Sequence, residues 1–425
     1  MGGNKIITDE DLFSLKVSKL WRAFRSESFA FWMICVYLFF EYVRPQSILP
    51  FLDILPWAQL AVLGALIGCF FDKTVKWVSS FGNKLLITFL LIIIISSMSA
   101  YWPQVSYNNL DKLYSWIVIY FLIICIVNTR QRFFIFFLIF LLASFKISAS
   151  LAMTWAGRSF TFTGWGLMGP PGFFQNSGEL AIQMVVYWPV ALALTVFLKP
   201  YLSKWMYVIC MAMPITAWAV ILGSSTRGGQ LALFAQFVKK YFHRITRPKI
   251  LIAIALGASV FWSFLPDEQK QRFSSMGEDK TSQQRLLYWQ NGWEMMLDHP
   301  VVGVGYFNFI PYYETYYVDD MLYKNAQLPH NIFIQVGTDA GFLGLSIYTA
   351  IILYSFFVTR ALGKEKSEMI LMESKLATAF NYSLIGFVVA GQFVTVAYYP
   401  FLWIHLSMVT ALKNIARKRT AHSNV

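Results

Sequence analysis

Arg158, Arg227, Arg272 and Arg285 are isolated cations in a chain where only 13% of residues are charged, and His330 follows them within Pro329-His330-Asn331. The planar fork of arginine donates two hydrogen bonds at once, which suits phosphate, and a diphosphate needs about two such residues. Arg227 stands in Gly223-Ser224-Ser225-Thr226-Arg227-Gly228-Gly229 at the mouth of a predicted helix. Small residues there let a backbone approach a ligand closely, and the free N–H groups of a helix start favour an anion. Arg285 precedes an aromatic, helix-like run, Tyr288-Trp289-Gln290-Asn291-Gly292-Trp293. His330 sits where a long polar interval meets a hydrophobic block, and a histidine there can act as a general base near neutral pH. The set points to chemistry on an anionic substrate. Each member also has a plainer reading: Arg158 as a snorkelling residue at a helix end, Arg227 beside a cap, Arg285 on a loop helix, His330 as a helix-positioning residue.

Other polar residues carry less. His299, in Asp298-His299-Pro300, reads as a turn and helix terminator, and His405 as packing within the last hydrophobic block. Lys146, inside a block, reads as one half of a structural ion pair. Asp319-Asp320 could meet a divalent metal, but adjacent carboxylates point apart and no second cluster supports them, so no metal site and no cofactor are expected. The four cysteines (Cys35, Cys69, Cys125 and Cys210) lie inside hydrophobic blocks without paired spacing, which indicates neither a disulfide framework nor a zinc site.

The elements that must position these residues are membrane helices. Of the 425 residues, 57% are hydrophobic and 18% aromatic, and a soluble protein of this size carries about twice this charge fraction. A spanning helix needs about 20 mostly apolar residues. Candidates run Ser28–Val43, Leu55–Phe71, Leu85–Ala100, Leu113–Val127, Phe133–Thr154, Leu180–Leu198, Trp205–Leu222, Gly228–Val238, Ile250–Leu265 and Ile332–Val358, with two more inside Ala377–Leu412. The expected fold is therefore an all-α polytopic membrane protein of about twelve spans in a single membrane domain, 1–425. The eighth span is short: either its start is drawn below the interface or the Ser224–Arg227 turn dips into the protein.

The net charge of +13 sits mostly in clusters between hydrophobic blocks, the pattern of positive cytoplasmic loops rather than of a nucleic-acid surface. Lys16, Lys19, Arg22 and Arg25 precede the first span; Lys239, Lys240, Arg244, Arg247 and Lys249 follow the eighth; Arg417-Lys418-Arg419 ends the last. Every basic cluster falls on one side, so both termini are expected in the cytoplasm. Tyr101–Asp111, Trp155–Glu179, Gly223–Arg227 and Pro266–Asn331 then share the outer side. The interval 266–331, between spans nine and ten, is far longer than a connection needs, and its wealth of Trp, Tyr and Phe argues against disorder. It reads as the lid or wall of an active site outside the cytoplasm.

These pieces resemble the O-antigen ligase family of bacterial inner-membrane proteins, which is related to the O-antigen polymerases. The resemblance is carried by Ser225-Thr226-Arg227-Gly228-Gly229, by Arg285 with Trp289, by His299-Pro300-Val301-Val302-Gly303-Val304-Gly305, and by His330-Asn331 with Gln335, Asp339, Gly341 and Gly344. Glu41-Tyr42-Val43-Arg44-Pro45-Gln46 also resembles the O-glycosylation ligase subgroup. Phe174-Gln175-Asn176-Ser177 departs from the family's Asn-Pro-Asn, Asp339 stands where Glu is usual, and Thr226 precedes the arginine. The resemblance implies a GT-C-type membrane glycosyltransferase in the bacterial inner membrane with a periplasmic active site. Its donor would be an undecaprenyl diphosphate-linked glycan and its acceptor lipid A–core. Arg227 and Arg285, with Arg158 in support, would hold the diphosphate. His330 would take the proton of the attacking hydroxyl, Asn331 would bind substrate beside it, and the inverting transfer would need no metal. Two rivals remain: an O-antigen polymerase, whose acceptor is a second lipid-linked glycan, and a transporter of lipid-linked sugar. The transporter predicts paired broken helices and intramembrane acids, of which the spans show almost none.

Overall fold

The computed structural model describes residues 7–245 and 277–421, with isolated positions at 252, 256, 259, 262, 263 and 270. The ninth hydrophobic block (250–265) and Arg272 lie largely or wholly outside the described residues. All regular structure among the described residues is helical. Two short helices, α1 (Asp9–Phe13) and α2 (Val17–Arg25), precede α3 (Phe29–Tyr42), α4 (Pro45–Ile48), α5 (Trp57–Phe71) and α6 (Phe81–Met98). Then come α7 (Pro103–Tyr107), α8 (Asp111–Ile126), α9 (Arg130–Gly157), α10 (Ser177–Leu198), α11 (Lys204–Gly223) and α12 (Arg227–Ile245). The polar interval contributes α13 (Lys280–Asp298) and α14 (Phe309–Tyr316), and the chain closes with α15 (Ile332–Leu362), α16 (Leu371–Ala390) and α17 (Pro400–Ala421).

Among the described residues, six helical stretches are long and apolar enough to cross a membrane: Phe81–Met98, Pro103–Ile126, Arg130–Gly157, Ser177–Tyr201, Lys204–Gly223 and Ile332–Leu362. The chain is a multi-pass α-helical membrane protein. In hydrocarbon every backbone polar group must be satisfied within the chain, and a helix does this within one segment. Serine and threonine set several starts: Ser28, Ser80, Thr129 and Ser203 accept the N–H groups of Phe31, Gly82, Arg132 and Met206. The remaining hydrophobic blocks within the described residues give shorter or more polar helices. α3 and α5, of 14 and 15 residues, pack against each other, α10 sits between α11 and α16, and α15 packs on α6.

At the start of α9 two arginines are buried. Arg130 donates from Nε to Glu373 at 2.7 Å and from Nη1 to Asp9 at 2.6 Å, while Arg132 pairs with Glu27 at 2.6 Å. Glu373 is fully buried, so these pairs tie α1, α9 and α16 together, and removing one partner would strand a buried charge. Lys146 behaves differently from expectation. It is exposed, on the same outward face of α9 as Leu142 and Met153, and it forms no ion pair among the described residues. The 3.6-residue period of α9 turns its neighbours Ala143 and Ile147 inward and carries Lys146 out.

The polar interval is built onto a break in α15. Ala340 (φ −138°) and Gly341 (φ +64°, ψ −171°) leave the helical region. The segment Pro300–Gly305 crosses there, and its backbone fills the gap: Val304 N–H donates to Thr338 O and Phe342 N–H to Pro300 O, both at 2.8 Å. Gly303 (φ +72°) faces Gly341, and a β-carbon on either would lie within 2.7 Å of the other segment's backbone. The glycines of this stretch are thus required by a crossing of two backbones. Beyond it α13 and α14 form a satellite core of Tyr288, Met295, Val304, Phe309, Tyr312 and Tyr313. Gly341→Ala adds both a clash and a conformation that only glycine adopts readily. It is expected to destabilise the solubilised protein by about 2 kcal/mol or more. A melting temperature unchanged from wild type would contradict this account of the crossing.

Candidate active site

Arg227, Arg285 and His330 line one cavity of about 2340 Å³. Its walls are the C-terminal end of α3, the first turns of α5, α8, α10, α12 and α13, and the segments before α15 and α17. Each of the three residues arrives by a separate local device.

Arg227 opens α12. The turn before it is buried at Ser224, whose Oγ donates to Ile221 O, and Ser225 takes φ +57°. The Ser224–Arg227 turn therefore dips into the protein, and Ser225, Thr226, Arg227, Gly228 and Gly229 all face the cavity. Gly228 abuts Phe393 and Gly229 abuts Ala181, so neither has room for a β-carbon. A helix leaves its first N–H groups without helical partners, and this one directs that end at the cavity.

Arg285 comes from α13, which is two-faced. Thr281, Ser282, Arg285, Leu286 and Trp289 follow i, i+3, i+4 spacing and face the cavity, while Gln284, Tyr288, Asn291 and Met295 are buried on the other face. Asp279 caps α13, accepting from Ser282 N at 3.0 Å and Ser282 Oγ at 2.6 Å. Arg227 Nη2 lies 3.4 Å from Asp279 Oδ2, which joins the two arginine-bearing helices. Arg285 Nε is buried without a hydrogen-bond partner among the described residues. Burial and then the adjacent charge of Arg227 hold the Arg285 pKa below its ordinary value. Two guanidinium groups confined together in this way are a ready receptor for an anion.

His330 is held in the left-handed region at φ +51°. Three contacts fix it there. Its N–H donates to Thr395 Oγ1 at 3.0 Å, its Nε2 bonds Gln327 Oε1 at 3.2 Å, and Trp289 Nε1 donates at 2.8 Å to the carbonyl of Pro329 immediately before it. Because Gln327 Oε1 accepts, Nε2 carries the proton and Nδ1 keeps the lone pair. Burial first, and the Arg285 charge second, lower the His330 pKa to about 4. The imidazole is therefore neutral at neutral pH.

Two expected site residues lie elsewhere. Arg158 is exposed at the C-cap of α9 and does not line the cavity. Asn331 caps α15: its Oδ1 accepts from Phe333 N at 2.9 Å and Ile334 N at 3.2 Å, and its Nδ2 donates to Gln392. Its side chain anchors the helix on which His330 is mounted. His299 ends α13 and bonds Tyr312 OH at 3.0 Å, and His405 bonds Phe380 O at 2.9 Å, so both are packing residues. Asp339, one of the few acids within the expected spans, lies beside the break in α15. It accepts Phe307 N–H at 3.1 Å and so serves the crossing. Asp279, Gln327 and Thr395 escaped the sequence reading, since residues that act by hydrogen-bonding another side chain or a loop backbone leave no mark of their own. No group of three His, Cys, Asp or Glu suited to a metal occurs among the described residues.

Residues 212–349 match the family model described as O-antigen ligase. The similarity to that family covers about a third of the chain. No curated protein matches the chain. The matched segment contains Arg227, Arg285 and His330 and both glycines of the crossing, but not the α3, α5 and α8 side of the cavity. Because burial outranks Arg285 in depressing His330, Arg285→Gln is expected to raise the His330 pKa above about 4 while leaving it below 6.5. The pH dependence of histidine NMR shifts checks this; an unchanged value would separate the two residues.

Proposed function

We propose that this protein is an O-antigen ligase, a glycosyltransferase that moves a glycan from undecaprenyl diphosphate to a sugar hydroxyl of lipid A–core. The observation that carries this reading is the convergence on one cavity of Arg227, Arg285 and a neutral His330, all three from the segment similar to that family. The frame proposed with it is a GT-C-type fold of about twelve spans in the bacterial inner membrane, with both termini cytoplasmic and the cavity facing the periplasm.

In the reaction the acceptor hydroxyl oxygen attacks the anomeric carbon, and the bond from that carbon to the diphosphate oxygen breaks. Diphosphate leaves with the bonding electron pair. Arg227 and Arg285 stabilise the charge that develops on it, an effect that grows where water is excluded. The hydroxyl proton passes to Nδ1 of His330. A group with a pKa of about 4 is a weak base in the empty site. A diphosphate bound at Arg285 offsets the charge that depresses it, so the donor itself raises the basicity of His330. A single displacement inverts the anomeric centre, and two arginines in place of a cation make the transfer metal-independent. The polymerase reading uses the same donor, residues and steps, with a second lipid-linked glycan as acceptor.

The test is reconstituted transfer from undecaprenyl diphosphate–glycan to lipid A–core under excess chelator. Wild type is expected to give glycan-capped core, and His330→Ala to lose roughly 10²–10⁴-fold in rate at unchanged protein level. Full activity of His330→Ala ends the base role, and chains lengthened on the carrier without capped core make the protein a polymerase. The acid limb of kcat/KM is expected near pH 4, with that of kcat at higher pH, because the first reports the free enzyme and the second the donor complex. Coincident limbs would contradict the coupling of His330 to bound diphosphate.

A further inference from the structure

The cavity is far larger than a diphosphate and one sugar need, and its two ends differ in chemistry. Away from Arg227 and Arg285, the far end is formed by α3, the Arg44–Gln46 corner and the starts of α5 and α8. Its cations are already engaged. Arg44, itself at φ +50°, donates through Nη1 to Pro171 O, and its guanidinium fills the space that a β-carbon on Gly172 would take. Lys112 donates to Asn109 Oδ1 at 2.6 Å and lies 4.7 Å over the Phe307 ring.

The unsatisfied groups at this end are mainly acceptors. Glu41, in the last turn of α3, forms no hydrogen bond or ion pair among the described residues. One turn earlier on the same face, Tyr37 is 2% exposed and its hydroxyl has no partner among them. The buried Oε1 of Gln46 has none either. All three line the cavity. Buried polar groups are otherwise almost always hydrogen-bonded, and a carboxylate can only accept. A phosphate, which offers acceptors, cannot satisfy Glu41 or Gln46. A polyol, which offers several O–H donors, can. Trp57, at the start of α5, and Trp116, on α8, border the same end and supply apolar faces for the C–H side of a sugar.

We infer that the α3–α8 end of the cavity is the acceptor-sugar subsite, with Glu41 and Gln46 accepting hydrogen bonds from sugar hydroxyls and Tyr37 completing the set. This inference rests on the reading of the cavity as a glycosyl-transfer site. It divides that site into an anion end for the leaving diphosphate and an acceptor-rich end for the incoming hydroxyl compound. It also makes Glu41, Gln46 and Tyr37 specificity residues for the acceptor rather than for the donor.

The test uses the full chain in nanodiscs, with binding read by tryptophan fluorescence. One arm titrates core oligosaccharide freed of lipid A; the other titrates repeat-unit oligosaccharide freed of its diphosphate. Undecaprenyl diphosphate without glycan is titrated in parallel. Saturable quenching by one of the saccharides is expected, and the arm that responds identifies the acceptor class. Glu41→Gln is expected to weaken that saccharide tenfold or more, and the milder Tyr37→Phe about threefold, with undecaprenyl diphosphate affinity within twofold of wild type in both. Arg227→Gln should do the reverse. If neither saccharide binds wild type, or both Glu41→Gln and Tyr37→Phe bind as wild type does, the subsite is overturned. If Arg227→Gln leaves undecaprenyl diphosphate binding unchanged, the transfer-site reading fails instead.

Discussion

The crossing of the Pro300–Gly305 segment over the broken middle of α15 is the constraint on which the site depends. A helix interrupted at membrane depth exposes N–H and C=O groups that hydrocarbon cannot satisfy, so irregular backbone survives there only when other protein supplies the partners. Here the partners are the Pro300 carbonyl and the Val304 N–H, delivered by the polar interval itself. The same contact fixes where that interval sits. It sets α13 against the first half of α15, brings the Trp289 indole to the Pro329 carbonyl, and so places Arg285 and His330 on the same wall. Glycine at 303 and 341 is what lets two backbones come this close.

Electrostatics then divides the labour. Arg227, paired with Asp279, shares the cavity with Arg285, whose Nε is buried without a partner among the described residues, and the two can meet an anionic ligand. Burial, with the Arg285 charge second, keeps the neighbouring imidazole neutral, the only state in which it can accept a proton. The far end of the cavity does the opposite: its cations are tied to carbonyl, amide and ring, and its acceptors are open. In the proposed transfer a leaving anion and an attacking hydroxyl would meet these two environments within one cavity.

The helical membrane character and the three cavity residues were legible because they rest on local signals. Apolar runs of span length, a glycine-rich turn around an arginine, and a histidine at the edge of a helix all appear within a few residues of sequence. Arg158 misled because an outer-side cation can serve either a site or a helix end, and only distance in three dimensions separates the two. Asn331 misled because it adjoins the cavity-lining His330 while its own side chain satisfies the helix start. Lys146 was expected to be paired inside the bundle, and the helical phase of α9 turns it out. Glu41 and Gln46 were visible as part of a motif, but their lack of partners is a property of the packed structure. The interlock of Gly303 with Gly341 spans 38 positions, beyond the reach of any local pattern.

The most direct test of the central claim is the structure of the full chain bound to undecaprenyl diphosphate, determined by electron cryomicroscopy in nanodiscs. The account predicts the diphosphate between the Arg227 and Arg285 guanidinium groups, in hydrogen-bonding contact with both, with the His330 imidazole facing the carbon-bearing end and the α3–α8 end of the cavity still open. A diphosphate lodged beside Arg44 and Lys112, or outside the cavity altogether, would contradict it.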